Sequence, residues 1–564
     1  MKHFLLLIIV SVFIAVACEP KMDPADTIIQ NGTIYTGNAT NDVVQAVAIK
    51  GDTIVAVGTA EEIEEYRGPL TKVVDLKGNV GYPGFIEGHA HIMGVGENLL
   101  NVDLMETKSY QEIVDAVAAR AAETPEGEWI LGRGWHQDKW TTDPEGMFKG
   151  FPTHDLLSEA VPNHPVYLKH ASGHAALANA KAMELAKINA ETPQPKGGEI
   201  FKSLGGQPTG IFNETAQGLF NAAIPEDSPE RRAEALSLAV QSCLEHGITG
   251  FHQAGSGSEH IEVFKAFAES NQLKIRLYVM LTGGEDKLLD EYFANGPVID
   301  PENQLTIRSV KLYSDGALGS RGAWLLEEYA DAPGKFGHNV TPMEDIEAVT
   351  MRAIQVGFQV CTHAIGDRGN REVLDIYERA FSRYPEMAED HRFRIEHAQH
   401  INGGDIPRFA SLNVIPAMQA VHMSSDRPWA IDRLGKERIE EGAYVWQKLL
   451  QQGSRIVNGT DAPVEPITPL ASFYASVSRK TLKGTPEGGY EPSQKMTREQ
   501  ALRSYTLDAA YGAFEENIKG SIEVGKLADF TVLDRDIMTI DEMDILNAKV
   551  EMTIIGGEVL YSAN

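Results

Sequence analysis

The stretch Pro83-Gly84-Phe85-Ile86-Glu87-Gly88-His89-Ala90-His91 decides how this chain is read. An apolar run ending in His-x-His is a strand whose residues i and i+2 share a face, so His89 and His91 aim two imidazoles at one point while Ala90 turns away. Two neutral nitrogens converging in this way make half of a metal site. In a chain with 17 histidines the pair alone is a weak sign, and it gains weight from the residues downstream.

Beyond it, seven more apolar runs read as strands, at 248–254, 275–281, 309–314, 358–363, 393–397, 414–419 and 455–460. Amphipathic helical stretches at 231–245, 260–269, 345–356 and 372–383 lie between them. Eight strand-then-helix units predict an α/β fold built on a closed (β/α)8 TIM barrel rather than an open sheet. Active sites of such barrels sit where strands end, and ligand-type residues stand there. His89 and His91 close the first strand, Lys311 lies in the fourth, His363 ends the fifth, His397 ends the sixth, and Asp461 follows the eighth.

Outward from the barrel, residues 24–80 and 520–564 read as short strands separated by turns. Neither end carries enough apolar surface to fold alone, so the two are expected to pair in one composite β-sandwich. That leaves 81–519 for the barrel, and the long gap after its first strand, about 100–230, reads as an inserted subdomain over the mouth. Trp129, Trp135 and Trp140 in this insert suit either an apolar wall of the site or the insert's own core.

The whole chain has 564 residues, 43% hydrophobic and 23% charged, which is the composition of an ordinary soluble globular protein. Its 80 acidic against 50 basic side chains leave a formal charge of −30, which repels phosphate backbones and excludes nucleic acid as an expected partner. Residues 1–18 have the charged-then-apolar layout of an export signal, and Ala15-Val16-Ala17-Cys18 resembles a lipoprotein cleavage box with Ala15 in place of the usual Leu. The expectation is an exported lipoprotein anchored through lipid on Cys18 and facing the periplasm or cell surface. Cys243 and Cys361, in apolar stretches, are expected as buried free thiols.

The segments 83–91, Asp315-Gly316-Ala317-Leu318-Gly319-Ser320-Arg321, His363-Ala364-Ile365-Gly366-Asp367-Arg368, Gly459-Thr460-Asp461-Ala462-Pro463 and 520–534 together resemble the metal-dependent amidohydrolase superfamily. Within it the likeness is to amidohydrolase family 3, the YtcJ-like branch that includes N-substituted formamide deformylases. This resemblance implies one or two divalent ions, most often zinc, held by His89, His91 and Asp461 with His363 and His397. In binuclear members a carboxylated lysine bridges the metals, and Lys311 holds the matching position; its other reading is a lysine paired to an acid such as Asp315.

The implied activity is hydrolysis of a C–N bond in an amide, N-acyl or formamide-like small molecule. Metal lowers the pKa of its water so that hydroxide attacks, and Asp461 takes the proton and passes it to the departing amine. Two alternatives stand beside this: a non-catalytic metal- or ligand-binding lipoprotein on the same fold, and a hydrolase of an ester or lactone. Association into a homo-oligomer is left open.

His174 falls where the family carries Asp-Gly-His, with Ser172 replacing the Asp, and is expected to reach substrate from the insert. Asp315 and Arg321 are candidates for orienting substrate, with a structural ion pair as their other use. Gln253, where relatives often carry Asp, is expected to alter pocket polarity. His400 reads as lying behind the ligands or at the surface. His136, His154, His164, His170 and His422 carry no spacing signal and read as structural.

Overall fold

The computed structural model describes residues 23–137, 140–142, 144, 146–170, 175–196 and 198–563. Eight parallel strands form the central sheet in chain order. They are β1 (Phe85–Ala90), β2 (Ile248–Ser256), β3 (Arg276–Thr282) and β4 (Leu305–Tyr313), then β5 (Gln359–Ala364), β6 (Arg394–His397), β7 (Ile415–Met418) and β8 (Val457–Asn458). The apolar runs become strands because helices cover their outer side and side chains fill the centre, so both faces are buried. In β3 only the last residue, Thr282, is not fully buried.

The sheet closes just past β8. The Asp461 N–H donates to the His89 carbonyl at 2.8 Å, and the His91 N–H donates to the Ala462 carbonyl at 2.8 Å. This seam demands glycine on both sides. A Cβ on Gly88 would lie 2.4 Å from the Asn458 carbonyl oxygen, and one on Gly459 would lie 2.3 Å from Glu87 Oε1 and 2.7 Å from the His89 nitrogen. Backbones can approach this closely only where no side chain intervenes. Glu87 ties the seam from inside, accepting from the Thr460 amide at 2.7 Å and the Thr460 hydroxyl at 2.9 Å. Burial pushes its carboxyl up to about 8 against the pull of the Thr460 and His89 amides.

Helices are set by local signals. The helix Pro229–Glu245 starts at Ser228, whose hydroxyl accepts from the Arg231 amide, with proline in the first turn. Its buried stripe of Leu236, Ala239, Val240, Cys243 and Leu244 follows the helical period. Cys243 and Cys361 are buried free thiols.

The two chain ends build a pair of sheets. Thr53–Gly58, Ala46–Lys50, Thr27–Gln30 and Lys72–Asp75 form the first. In the second, Phe530–Leu533 from the C-terminal end pairs antiparallel with Val80–Pro83, which also pairs with Thr33–Tyr35. The strand Val80–Pro83 therefore belongs to the sandwich and runs on, after Gly84, into β1. Arg276 at the start of β3 holds Asp529 by two bonds, Nε to Oδ2 at 2.6 Å and Nη2 to Oδ1 at 2.9 Å, with both side chains buried.

The insert has its own six-stranded sheet, running from Gly198–Lys202 at one edge to Val102–Asp103 at the other. Trp135 is fully buried in that subdomain's core and donates its indole N–H to the Leu168 carbonyl. Trp140 packs against it at 6.5 Å, and Trp129 joins a second cluster of the insert. The tryptophans serve the insert's core, not the wall of the barrel site. No helix among the described residues is long and apolar enough to cross a membrane.

Candidate metal centre

Parallel register brings the strand-end residues together. Tyr313 lies beside His363, and Ala364 beside His397, across neighbouring strands. His91 stands one step beyond β1, as the residue that caps the helix Ile92–Leu100. Gln253 steadies that turn: its Oε1 accepts from the Ile92 amide at 2.6 Å and its Nε2 donates to the Gly255 carbonyl. The residue expected to colour the pocket thus holds the backbone behind His91.

Asp461 is the hub. Its Oδ1 lies 3.2 Å from His91 Nε2 and 3.5 Å from His89 Nε2, and its Oδ2 lies 4.0 Å from His422 Nε2. The nitrogens and oxygens of His89, His91 and Asp461 fall within 4.8 Å of one another, as do those of His397, His422 and Asp461. The ring of His397 is 4.9 Å from that of His89 and 4.4 Å from that of His363. His397 and Asp461 sit on left-handed backbone, at φ 71 and φ 59. Non-glycine residues adopt that region only where the surroundings impose it, a pattern common at functional sites.

Neighbouring side chains set the tautomers. Glu396 takes the Nδ1–H of His89, and Gln419 Oε1 takes that of His397 at 2.7 Å, which leaves both Nε2 lone pairs facing inward. Burial, with Lys311 adding to it, pushes His89 down to about 4; burial likewise pushes His363 down to about 3 and His397 well below the usual range. All three are neutral at physiological pH, the form that ligates. Burial opposes ionisation of Asp461, but His91 and the other imidazoles outweigh it and hold the carboxyl well below its ordinary value. Glu396 is held low in the same way, with Arg394 and His89 overcoming its burial.

Three polar atoms around this centre are buried and make no hydrogen bond among the described residues: His363 Nε2, His422 Nε2 and Asp461 Oδ1. Each such atom costs about 1–3 kcal/mol when left unsatisfied. Imidazole and carboxylate donor atoms converging within a few ångströms of one another fit a divalent cation, which is the group this donor set suits.

Lys311 is buried, with Nζ 3.3 Å from His89 Nε2 and 4.8 Å from the centroid of the Tyr313 ring. Burial lowers its pKa. No carboxylate of the described residues pairs with it, so the reading in which Asp315 neutralises it does not describe the structure. Asp315 instead accepts from the backbone amides of Trp324, Ile365 and Gly366 at 2.7, 3.0 and 2.8 Å, and approaches His363 Nε2 at 3.7 Å. It pins the loops after β4 and β5 behind the ligands. Arg321 pairs with Asp331 at 2.7 Å. Neither residue lines the cavity over the centre, and the contacts each makes are of the structural kind that was its other reading. His174 lies outside the described residues.

That cavity has a volume of about 400 Å³. Its floor is His91, Lys311, His363, His397, His422 and Asp461, and its walls include Tyr313, Leu318, Ile365 and Trp429 with Asp426 and Glu465. His422, expected from the sequence to be structural, is a site residue; so are Glu396 and Gln419. A signal for His422 does exist: His422, Asp426 and Trp429 recur at i, i+4 and i+7 in the helix Ala420–Leu434, directly after a barrel strand. His400 is buried behind the site, 3.6 Å from Asp367 Oδ2.

The sequence pattern of the amidohydrolase family matches residues 72–561. The chain belongs to that family. It is accordingly an enzyme, a hydrolase of carbon–nitrogen bonds. Among its relatives, the putative amidohydrolase YtcJ of Bacillus subtilis is 32% identical over 537 residues, covering 94% of this chain and 98% of that protein. The N-substituted formamide deformylase of Arthrobacter pascens is 27% identical over 548 residues, covering 95% and 98%. The crystal structure of an uncharacterized metal-dependent hydrolase from Pyrococcus horikoshii superposes with a TM-score of 0.76 at 28% identity, covering 92% of this amidohydrolase and 99% of that chain.

Proposed function

We propose that this amidohydrolase is an exported, metal-dependent enzyme that cleaves the C–N bond of an amide, N-acyl or formamide-like small molecule. The observation that carries the reading is the convergence of imidazoles from the strand ends and one acid on a single cavity floor, with unsatisfied donor atoms facing one another. The full-length likeness to a formamide deformylase points to the same bond.

His89, His91 and Asp461 would hold the cation, with His363, His397 and His422 as the further nitrogen donors of the centre. When bound, a divalent ion, zinc on the strength of the imidazole-rich donor set, makes water more acidic and polarises the substrate carbonyl. Lys311 is the candidate for carboxylation. Its burial favours the neutral amine, the form that adds carbon dioxide, and a carbamate there would supply the ligand oxygen that an ammonium lacks.

The chain's own contribution to turnover rests on Asp461. Held ionised with Oδ1 against His89 and His91, it offers Oδ2 as the atom that accepts the proton of the attacking water and returns it to the departing amine nitrogen. Leu318, Ile365 and Trp429 give an apolar wall for the substituent of the bond being cut. Export rests on residues 1–18, with Cys18 as the lipid acceptor, and palmitate labelling of expressed full-length protein tests it.

A screen over formamides, N-acyl amino acids and hydantoins tests the activity. Turnover that vanishes with chelator and returns with zinc is expected, whereas chelator-insensitive turnover overturns the metal reading.

A further inference from the structure

The cavity wall above the metal centre carries charge of one sign. Along the helix Ala420–Leu434, His422, Asp426 and Trp429 form one ladder. His422 stands at the floor, 4.0 Å from Asp461. Asp426 comes one turn later, about 6 Å along the axis at 1.5 Å per residue, and Trp429 another turn beyond. Glu465, from the segment after Asp461, faces the same space and adjoins this helix, its Oε1 accepting from the Ser425 hydroxyl at 2.5 Å.

Asp426 is only half used. Gln399 Nε2 and the Tyr444 hydroxyl both reach its Oδ2, at long distances of 3.4 and 3.5 Å. Its Oδ1 makes no hydrogen bond among the described residues, and no Lys or Arg of these residues forms an ion pair with Asp426 or Glu465. Burial, with Glu465 adding to it against the counter-pull of His422, pushes the Asp426 carboxyl up to about 6. The one ammonium among the described residues of the cavity lining, Lys311, is buried at the floor beside His89. Arg133 reaches the Pro463 carbonyl from a neighbouring cavity on the other side of this segment. His422 Nε2, buried at the base of the ladder, faces Asp461 and belongs to the metal centre, so the charge of the wall above it rests on Asp426 and Glu465.

From this geometry we infer that Asp426 and Glu465, beside the Trp429 ring that lines the cavity and has the Arg433 guanidinium 5.7 Å from its centroid, select substrates whose non-reacting end carries a positive charge on an apolar stem. Two carboxylates with an aromatic ring recognise an ammonium or guanidinium through charge and the ring quadrupole, and they repel a carboxylate. Asp426 stands one helical turn, about 6 Å of axial rise, beyond His422, so the charged end is held on the wall and not at the metal-binding floor. This inference names the substrate class of the hydrolysis proposed above and rests on that reading for its chemistry. The charge preference is a property of the wall and is read by binding.

The probe is benzyltrimethylammonium, which has no lone pair to give a metal, against its uncharged isostere neopentylbenzene. Both are titrated calorimetrically into the metal-loaded full chain. The wild type is expected to bind the cation at least about tenfold tighter than the isostere, within the range of a desolvated cation–aromatic contact plus a charge pair. Asp426→Asn is expected to lose most of that preference. Glu465→Gln, at a part-exposed position where folding is not in question, is expected to lose a smaller part, on the order of threefold. In both variants affinity for neopentylbenzene stays within about twofold.

Equal affinity of the wild type for the two probes overturns the inference, as does a cation affinity unchanged in both variants or falling in step with that of the isostere. Cation binding in a protein that hydrolyses no amide would sink the hydrolysis reading alone. Amide turnover without cation preference would sink the charge inference alone.

Discussion

Glu396 and His89 meet inside the barrel with no solvent on either, the carboxylate taking the Nδ1–H while Arg394 grips both of its oxygens, at 2.7 Å on Oε1 and 2.9 Å on Oε2. Arg394 also donates to the Gly88 carbonyl at 2.7 Å, so one guanidinium ties β6 to β1, the strand that carries His89. The arrangement points His89 Nε2 at the centre and raises its basicity. Glu396→Gln keeps the shape and removes the charge; metal affinity is expected to fall about tenfold, and about a hundredfold for Glu396→Ala, measured by competition with a chelator.

Asp461→Asn retains size and the backbone seam but cannot carry a proton between water and amine. We expect kcat to fall by about 10²–10⁴ in the presence of saturating metal, with a melting temperature close to that of the wild type. A variant turning over at near wild-type rate would remove Asp461 from the proton path.

His391 gives the fold an acid-sensitive element away from the site. Its Nε2–H donates to the Leu412 carbonyl at 2.9 Å while Nδ1 accepts from the Phe393 amide at 2.8 Å, and its ring stacks on Phe381. Both nitrogens are committed to the neutral form, and burial pushes the pKa from 6.5 down to about 4. The unfolded chain therefore binds the proton first as pH falls. The contribution is full above about pH 6.5, declines between there and about pH 4, and totals on the order of 3 kcal/mol. Thermal melts from pH 7.5 to 4 should show this slope flattened in His391→Gln.

The pair between Arg276 and Asp529 joins the barrel to the sandwich. Asp529→Ala strands a buried guanidinium, which costs about 3–5 kcal/mol, read as a lower urea midpoint. Replacing both partners by Met and Leu is expected to recover much of that loss, because the charge left behind, rather than the missing bond, carries most of the penalty.

The barrel was legible because each strand is a short apolar run buried on both faces, and because ligand-type residues end those runs. His89, His363 and His397 needed only the rule that sites lie at strand ends. His422 escaped because it stands a few residues beyond a strand, inside a helix whose other face is core, and position in the chain does not show which face looks inward. Glu396 was hidden by adjacency: in Arg394-Ile395-Glu396-His397 the pleat sends it to the interior, where only the fold supplies His89 as a partner. Asp315 and Arg321 sit in a segment rich in functional-looking residues, but their partners are backbone amides in one case and Asp331 in the other, contacts that no spacing along the chain encodes.

The strand Val80–Pro83, which leads through Gly84 into β1 and its histidines, lies between Thr33–Tyr35 and Phe530–Leu533. One neighbour precedes every candidate metal ligand in the chain and the other follows them all, so a backbone cut between Asp461 and Phe530 would spare each ligand yet strip one partner from the strand that roots the first of them.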